Sequence, residues 1–168
     1  MSTKDFSSLQ EKRIADYLGW KVVSGSGSRP CAPGDVKSDN WLGECKTHVT
    51  VWNTWTFLDS VWDKLSDEAM SQFKFPALFV DDGSQQIEMT WCLVPMRAIN
   101  WAEVKATDAS LMYIECSRTF RKNIVFQRSD LFCPKKIDTP MRILHNNTAL
   151  AFMPLTSFHK ICEIVGLF

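Results

Sequence analysis

Residues 24–48 constrain the fold of this chain more than any other segment. A Gly/Ser/Pro-rich loop at 24–33 leads into a short segment at 34–36, a polar turn follows at 38–40, and a second segment runs through 42–48. Turn-forming residues between two short segments of this kind are typical of adjacent strands. We therefore predict a pair of short strands joined by the turn.

The second predicted strand carries the candidate chemistry. Because side chains alternate along a strand, Glu44, Lys46 and His48 should share one face. Cys45 should point the other way, as a packed core thiol. If the two strands pair, Asp35 and Glu44 could hold a hard cation such as Mg²⁺, which prefers carboxylate oxygens and usually keeps several waters. Lys46 would then lie near the water or phosphate that reacts.

The order of these residues resembles the PD-(D/E)XK nuclease superfamily. The matching segments are Pro33-Gly34-Asp35 and Glu44-Cys45-Lys46, with a glycine between the proline and the aspartate that the family motif places side by side. The resemblance implies that Asp35, Glu44 and Lys46 are catalytic. It also implies that Asp35 and Glu44, with the backbone carbonyl of Cys45, bind Mg²⁺, or Mn²⁺ as a substitute. The implied fold is α/β, a restriction-endonuclease-like core with a mixed β-sheet flanked by helices.

Two upstream features extend the resemblance to the Holliday junction resolvase branch, of archaeal and phage type. In that branch a glutamate on the first helix and a Ser/Gly loop precede the aspartate, as Glu11 and residues 24–28 do here. The match covers roughly the first half of the chain. It implies a Mg²⁺-dependent endonuclease that acts as a homodimer on four-way or other branched DNA. The implied element order is helix, three strands, helix, strand.

Glu11 lies on the apolar side of a helix predicted for residues 8–18. Apolar residues follow it at i+3, i+4 and i+7, so its carboxylate should face inward. A buried acid needs a partner. Two interpretations stay open: Ser8 and Glu11 could form a capping box at the helix start, or Glu11 could be catalytic by approaching the metal or orienting a water. The resemblance favours the catalytic role.

The Ser/Gly loop is the first candidate for DNA binding. Its hydroxyls, its backbone amides and its arginine could contact phosphates, although composition alone favours a plain linker. The candidate residues are Ser24, Ser26, Ser28 and Arg29.

A basic segment is the second candidate. Residues 117–145 contain seven Lys and Arg against two Asp, a net charge of +5, whereas residues 57–90 contain seven acids against two lysines, a net charge of −5. A segment of this charge can face DNA, and Arg118, Arg121 and Lys122 are its candidate contacts. The alternative is a solvated surface that balances the acidic segment.

Length and composition predict one domain over residues 1–168. With 45% hydrophobic residues, a chain of 168 residues can build a single sizeable core. The six cysteines form no C-x-x-C pair, no basic-then-apolar leader opens the chain, and no apolar run approaches the length of a bilayer span. We therefore expect a cytoplasmic protein with reduced thiols and no membrane partner. A compact nuclease of this kind would suit a bacteriophage acting in a bacterial host.

Periodicity and turn signals predict further elements. They are a strand at 20–23, a helix at 57–73, a hairpin of 76–80 and 87–94, strands at 111–116 and 123–127, a loop at 132–141, and a helix that Thr156 caps and that ends at Val165. Trp52 and Trp55 could stack on unpaired bases. In a chain with seven tryptophans, however, core positions are favoured for both.

Three functions remain open. The first is the junction resolvase, and the second is a nuclease of the same superfamily that acts on linear or single-stranded DNA ends. The third is a catalytically silent DNA-binding module of the same fold. The presence of Asp35, Glu44 and Lys46 argues against the silent module.

Overall fold

The computed structural model describes residues 3–24, 33–131 and 139–168. Within them the helices are α1 (Thr3–Leu18), α2 (Asp59–Ser71), α3 (Trp101–Thr107), α4 (Arg128–Leu131) and α5 (Leu155–Val165). The strands are β1 (Lys21–Val22), β2 (Val36–Lys37), β3 (Trp41–Lys46), β4 (Thr54–Phe57), β5 (Phe75–Asp81), β6 (Thr90–Pro95), β7 (Ile114–Phe120), β8 (Ile124–Gln127), β9 (Met141–His145) and β10 (Thr148–Pro154).

The described strands form one large mixed sheet and one small ladder. The large sheet has the order β1-β2-β3-β5-β6-β10-β9-β7, and β4 pairs with β8 in the small ladder. The pairs β3–β5 and β7–β9 are parallel, and the other neighbours are antiparallel. The predicted fold class, a mixed sheet flanked by helices, is confirmed. Along the large sheet the chain begins with helix, three strands, helix and strand, and β4 is an additional strand before α2.

Apolar side chains cover both faces of the large sheet. Helices α1, α3 and α5 pack on one face, with Ile14, Leu18, Val104, Phe158 and Ile161 in its core. Helix α2 and the β4–β8 ladder cover the other face, with Trp55, Phe57, Trp62, Leu65 and Phe126 in its core. Strand β5 is buried on both sides because Phe79 faces the first core and Leu78 the second. This two-sided burial explains its unbroken apolar sequence.

Gly43 allows β2 and β5 to pack tightly on either side of β3. A Cβ atom at this position would lie 2.6 Å from Cγ2 of Val36 and 2.8 Å from Cε2 of Phe79. Both distances are shorter than carbon atoms adopt in packed interiors. The missing side chain therefore leaves the space that the side chains of Val36 and Phe79 occupy over β3, next to Glu44.

Several predicted elements occur with different bounds. The hairpin prediction is confirmed by β5 and β6, which pair antiparallel. The helix predicted from residue 57 begins at Asp59 because Phe57 ends β4. The cap predicted for Thr156 is wrong: α5 begins at Leu155, Pro154 occupies the cap position, and no side chain caps the helix. Residues 132–138 of the predicted loop lie outside the described residues.

The hairpin of β9 and β10 and the helix α3 were not predicted. In the hairpin, His145 pairs with Thr148, so the connecting loop has two residues. These are Asn146 and Asn147, with φ of 47° and 64°. Positive φ at both loop residues is the geometry of a type I′ turn.

The sequence also predicts reduced thiols and no membrane-spanning segment. The four cysteines among the described residues, Cys45, Cys92, Cys116 and Cys162, are free thiols. None of the helices in residues 3–24, 33–131 and 139–168 combines the length and the apolar character that a membrane crossing requires.

Candidate active site

Asp35 and Glu44 lie close together where β2 meets β3. Val36 of β2 pairs with Gly43 of β3 in an antiparallel ladder. The N–H of Asp35 also donates to the carbonyl of Gly43 at 2.7 Å, so Asp35 and Val36 share one partner and the ladder is irregular at Asp35. Oδ2 of Asp35 accepts a hydrogen bond from the N–H of Cys45 at 2.8 Å. Strand pairing therefore fixes the relative position of the two carboxylates.

Lys46 follows Glu44 on the same face of β3. Its Nζ lies 2.5 Å from Oε1 of Glu44, so the prediction that an acid and an amine lie side by side is confirmed. Partial burial lowers the pKa of Lys46, but the hydrogen bond and the charge of Glu44, with the charge of Asp35, more than offset it, and the pKa lies above its usual value. The amine is thus a cation and cannot serve as a general base.

Cys45 points away from this face, as predicted. Its side chain is buried in the core under α1 and α5. Burial, together with the charge of Asp35, raises the pKa of the Cys45 thiol well above its usual value. A thiol in this state is inert. The backbone carbonyl of Cys45, the third predicted metal ligand, lies on β3 between Glu44 and Lys46.

Asp35 occupies an unfavourable place for a charge. Partial burial and then the charge of Glu44 raise the pKa of Asp35 to about 6, against the opposing hydrogen bond from the Cys45 N–H. Glu11 contributes to the same rise. A cation at this position would favour the ionised carboxylate, because opposite charge stabilises the charged form.

Glu11 approaches the site from helix α1. Its carboxylate is half-buried, and Oε1 accepts a hydrogen bond from Oγ of Ser7 at 3.1 Å. The capping-box interpretation is wrong: α1 begins at Thr3, so Ser8 lies inside the helix and not at its start. The helix of Glu11 packs on the face of the sheet that the Cys45 side chain enters, and the charge of Glu11 contributes a minor part of the raised pKa of Asp35.

Gln10 is a residue of the site that the sequence did not reveal. It is wholly buried, and its Nε2 donates to the backbone carbonyl of Lys46 at 2.8 Å. Its Oε1 has no hydrogen-bond partner among the described residues. Gln10 precedes Ile14 by four positions and Leu18 by eight, so it lies on the buried stripe of the helix. This helical periodicity is the signal in the sequence that could have identified Gln10 as a buried residue.

A buried ion pair braces the strand ends beside the site. Arg13 of α1 contacts Asp81 at the end of β5, with 2.7 Å between Nη2 and Oδ2. The hydroxyl of Thr47 donates to Oδ1 of Asp81 at 2.6 Å. The N–H of Gly83 donates to the same oxygen at 2.9 Å. Helix α1, the end of β3 and the end of β5 are thus joined through one wholly buried carboxylate.

The donor set at this edge suits a hard cation. Oδ2 of Asp35 and Oε1 of Glu44 are engaged, which leaves Oδ1 and Oε2 as the oxygens that could face one. Among the described residues, no group of three or more His, Cys, Asp and Glu side chains could hold a metal ion. Mg²⁺, however, usually takes one or two protein carboxylates and completes its shell with waters and substrate phosphates.

Two lysines extend from the carboxylates along the same face. Lys21 and Lys37 are direct partners in the β1–β2 pair, and both are exposed. Lys37 pairs with Leu42, which shares the face of Glu44. The two lysines line an open groove with Ser24 and with the last residues of α2. Like charges directly opposite each other in a sheet are destabilising, so this pair suits an anionic ligand.

The basic segment lies at the far edge of the sheet. Arg118 belongs to β7, and Arg121 and Lys122 are exposed in the turn that follows it. Strand β7 is five positions from β3 in the strand order, roughly 24 Å at the usual strand spacing. Arg118 forms an ion pair with Asp130 at 3.0 Å. The structure does not bring these residues to the carboxylates, and their contact with DNA stays a prediction.

The remaining candidates divide between surface, core and residues outside the described ranges. Ser24 is exposed, while Ser26, Ser28 and Arg29 lie outside the described residues. Trp55 is wholly buried, so its predicted core position is confirmed. The same prediction is wrong for Trp52, whose side chain is exposed. His48, predicted to share the strand face of Glu44 and Lys46, lies beyond the end of β3 at Lys46.

Comparisons with models of known families, with curated protein sequences and with solved structures give no match to this chain.

Proposed function

We propose that this protein is a Mg²⁺-dependent DNA endonuclease with a restriction-endonuclease-like core, and that it hydrolyses phosphodiester bonds in branched DNA such as a Holliday junction. One observation carries the proposal: backbone contacts hold Asp35 against the Gly43–Cys45 segment of β3, next to Glu44, and Lys46 pairs with Glu44. The resemblance to the PD-(D/E)XK nucleases supports the choice of reaction. The order of strands and helices around β3 is compatible with that core.

Each side chain has a role in this proposal. Asp35 and Glu44 would hold the cation, which supplies Lewis-acid stabilisation of the scissile phosphate when bound. Lys46, fixed by Glu44 and cationic, donates a hydrogen bond to a phosphate oxygen or to the attacking water. Glu11 orients that water from the helix side.

The distribution of cations suits a substrate with several arms. Lys21 and Lys37 would guide one DNA backbone towards Asp35, along the groove that they line. The basic segment at the opposite edge would contact a second arm, which a branched molecule provides. A homodimer with one active site for each cleaved strand completes the proposal.

Cleavage assays test the proposal directly. Labelled four-way junction, duplex and single-stranded DNA are incubated with the protein in Mg²⁺ and in EDTA. We expect Mg²⁺-dependent cleavage that favours the junction and that Asp35→Asn and Glu44→Gln abolish without loss of junction binding. Asp63→Asn, an exposed carboxylate on α2, is the matched control and should cleave normally. Near-normal turnover by either active-site variant would disprove the assignment.

The ion pair between Lys46 and Glu44 favours one second candidate. Because each partner already satisfies the charge of the other, the site is also compatible with a silent DNA-binding module of the same fold. In that case the protein would bind junction DNA and cleave no substrate with Mg²⁺ or Mn²⁺.

A further inference from the structure

Trp52 presents an exposed aromatic ring in the segment that follows the strand of Glu44 and Lys46. It lies in the segment between β3 and β4, and 52% of its surface is exposed. One side of the indole is covered by His48: the ring centroids are 4.8 Å apart and the ring planes differ by 11°. His48 is partly buried, so it forms the inner layer of the stack and Trp52 the outer layer.

The segment that carries Trp52 is held in place by hydrogen bonds at several points. The N–H of Trp52 donates to the carbonyl of Asp82 at 2.8 Å, and its Nε1 donates to Oγ1 of Thr50 at 3.1 Å. On the other side, the N–H of Arg128 donates to the carbonyl of Asn53 at 2.8 Å. The ring is therefore oriented before any ligand arrives, which lowers the entropic cost of binding.

Gly83 packs directly against the backbone of this segment. Its φ is +90°, and a Cβ at this position would lie 2.5 Å from the carbonyl oxygen of Thr50 and 2.9 Å from that of His48. The backbone of the Trp52 segment thus rests directly on the turn after β5. In the same turn, the N–H of Gly83 donates to Asp81, so this turn contacts both the Trp52 segment and the buried ion pair.

The stack is also close to the proposed chemistry. His48 follows Lys46 by two residues, which span at most about 7 Å of extended chain. Exposure distinguishes Trp52 from Trp55, whose ring is in the core and whose Nε1 donates to the carbonyl of Met89. Exposed Phe73, by contrast, is at the end of α2.

We propose that Trp52, backed by His48, is a stacking platform for an unpaired DNA base next to the scissile phosphate. A base inside a duplex already has neighbours on both faces, whereas a base at a branch point or in a single strand can stack on an exposed indole. Because the indole N–H is engaged by Thr50, the platform has no polar group to read base edges, and it would tolerate any base. This inference rests on the proposed nuclease function and specifies its substrate as DNA with an unpaired base at the cleavage site.

Binding in the absence of metal tests the platform separately from cleavage. The probes are a four-way junction and a single strand, each with 2-aminopurine at the expected contact, and a fully paired duplex. We expect Trp52→Ala to weaken binding of the first two by about 5- to 150-fold, to abolish the quenching of 2-aminopurine, and to leave duplex binding unchanged. Trp52→Phe, which keeps an aromatic face, should retain most of the affinity. Phe168→Ala, the loss of a partly exposed ring that packs on His159 of α5, should have no effect.

The outcomes separate this inference from the proposed function. Trp52-dependent quenching without cleavage by the wild-type protein would keep the platform and reject the nuclease. Mg²⁺-dependent cleavage with unchanged binding by Trp52→Ala would keep the nuclease and overturn the platform. Equal losses on duplex and junction, or a changed oligomeric state of Trp52→Ala in place of a changed affinity, would also overturn it. Thermal melting of each variant verifies that these readouts come from folded protein.

Discussion

The side-chain amide of Gln10 donates a hydrogen bond to the backbone carbonyl of Lys46, with 2.8 Å between the nitrogen and the oxygen. The bond joins two parts of the chain that are 36 residues apart. It connects the residue before Glu11 to the last residue of β3. This buried amide is therefore one of the contacts that fix helix α1 relative to β3, together with the Arg13–Asp81 pair and the core under α1.

We expect Gln10→Met to lower both stability and turnover. The change keeps side-chain length but leaves the Lys46 carbonyl without its donor, which costs about 1–3 kcal/mol of the free energy of unfolding. If Gln10 positions the site, kcat should fall while KM for the junction stays nearly constant. Urea denaturation and steady-state kinetics measure the two effects. The control is Lys12→Met on the same helix, whose exposed ion pair with Asp16 contributes little.

Asp35 should make the metal-free protein less stable as pH rises. Its pKa is about 6 in the folded protein, above the ordinary value of 3.8, so the folded state binds this proton more tightly than the unfolded state. The resulting stabilisation is complete below pH 3.8 and is lost as pH rises through about 6. Asp35→Asn cannot ionise, and near neutral pH it should be more stable than the wild type by roughly 3 kcal/mol or less. Denaturation in EDTA across this pH range measures the difference.

The same pKa predicts how cleavage depends on pH. A carboxylate must be ionised to bind a metal, so at sub-saturating Mg²⁺ activity should fall as pH drops through about 6, and saturating Mg²⁺, which favours the ionised form, should move that fall to lower pH. Asp63→Asn should follow the wild-type profile for both stability and activity. A stability difference between Asp35→Asn and the wild type that does not change with pH would show that Asp35 is not the titrating group.

Glu11→Gln separates the catalytic and structural roles of Glu11. The amide can still accept the hydrogen bond from Ser7, so the melting temperature should change little. The variant lacks the negative charge near Asp35, and cleavage should fall by a large factor. Ser7→Ala is the matched control, because it removes the same hydrogen bond and keeps the charge. Full activity of Glu11→Gln would limit the site to Asp35, Glu44 and Lys46.

Salt dependence should show which cations contact DNA. Replacing Lys21 and Lys37 with Ala should lower the slope of log affinity against log salt by about two, since each lost phosphate contact contributes roughly one. Replacing Arg118, Arg121 and Lys122 should lower it by about three if a second arm reaches the far edge. Lys105→Ala, an exposed lysine on α3, is the control. If a set of substitutions leaves the slope at its wild-type value, the residues that it replaces are ordinary solvated surface.

Asp81→Asn is expected to destabilise the fold strongly. The carboxylate is wholly buried and pairs with Arg13, so its neutralisation leaves a largely buried guanidinium without a counter-charge. Breaking a buried pair in this way costs about 3–5 kcal/mol of the free energy of unfolding. The double variant Arg13→Met with Asp81→Asn should be more stable than Asp81→Asn alone, because it removes both charges and keeps an acceptor for Thr47 and for the Gly83 N–H. Calorimetry measures the melting temperatures. If both variants melt at the same temperature, well below that of the wild type, the ion pair between Arg13 and Asp81 does not have the stabilising role described here.

Local patterns predicted the carboxylate pair but not its surroundings. Alternation along β3 and the turn at 38–40 were enough to place Glu44 beside Lys46 and to bring Asp35 to the same strand pair. The asparagines of the β9–β10 turn carried a hairpin signal that was overlooked. Periodicity on α1 suggested an inward acid, yet the wholly buried residue is Gln10, one position earlier.

Other features depend on pairings between distant segments. Lys21 faces Lys37 only because β1 adds to the edge of β2, and Arg118 lies far from the site only because β7 occupies the opposite edge. Strand order is decided by the packing of the whole core and not by local propensity. Composition could therefore identify the basic segment but could not locate it.

Gly43 makes the distance between Asp35 and Glu44 depend on a residue that carries no charge. Even one methyl group at this position would press on the side chains of Val36 and Phe79, and the shift of Val36 would disturb β2 next to Asp35. A descendant of this chain with alanine there could keep every acidic residue of the motif and still lose activity. Inactive relatives would then be recognised by the size of the residue before the glutamate, and an intact acidic motif would not by itself identify a working nuclease.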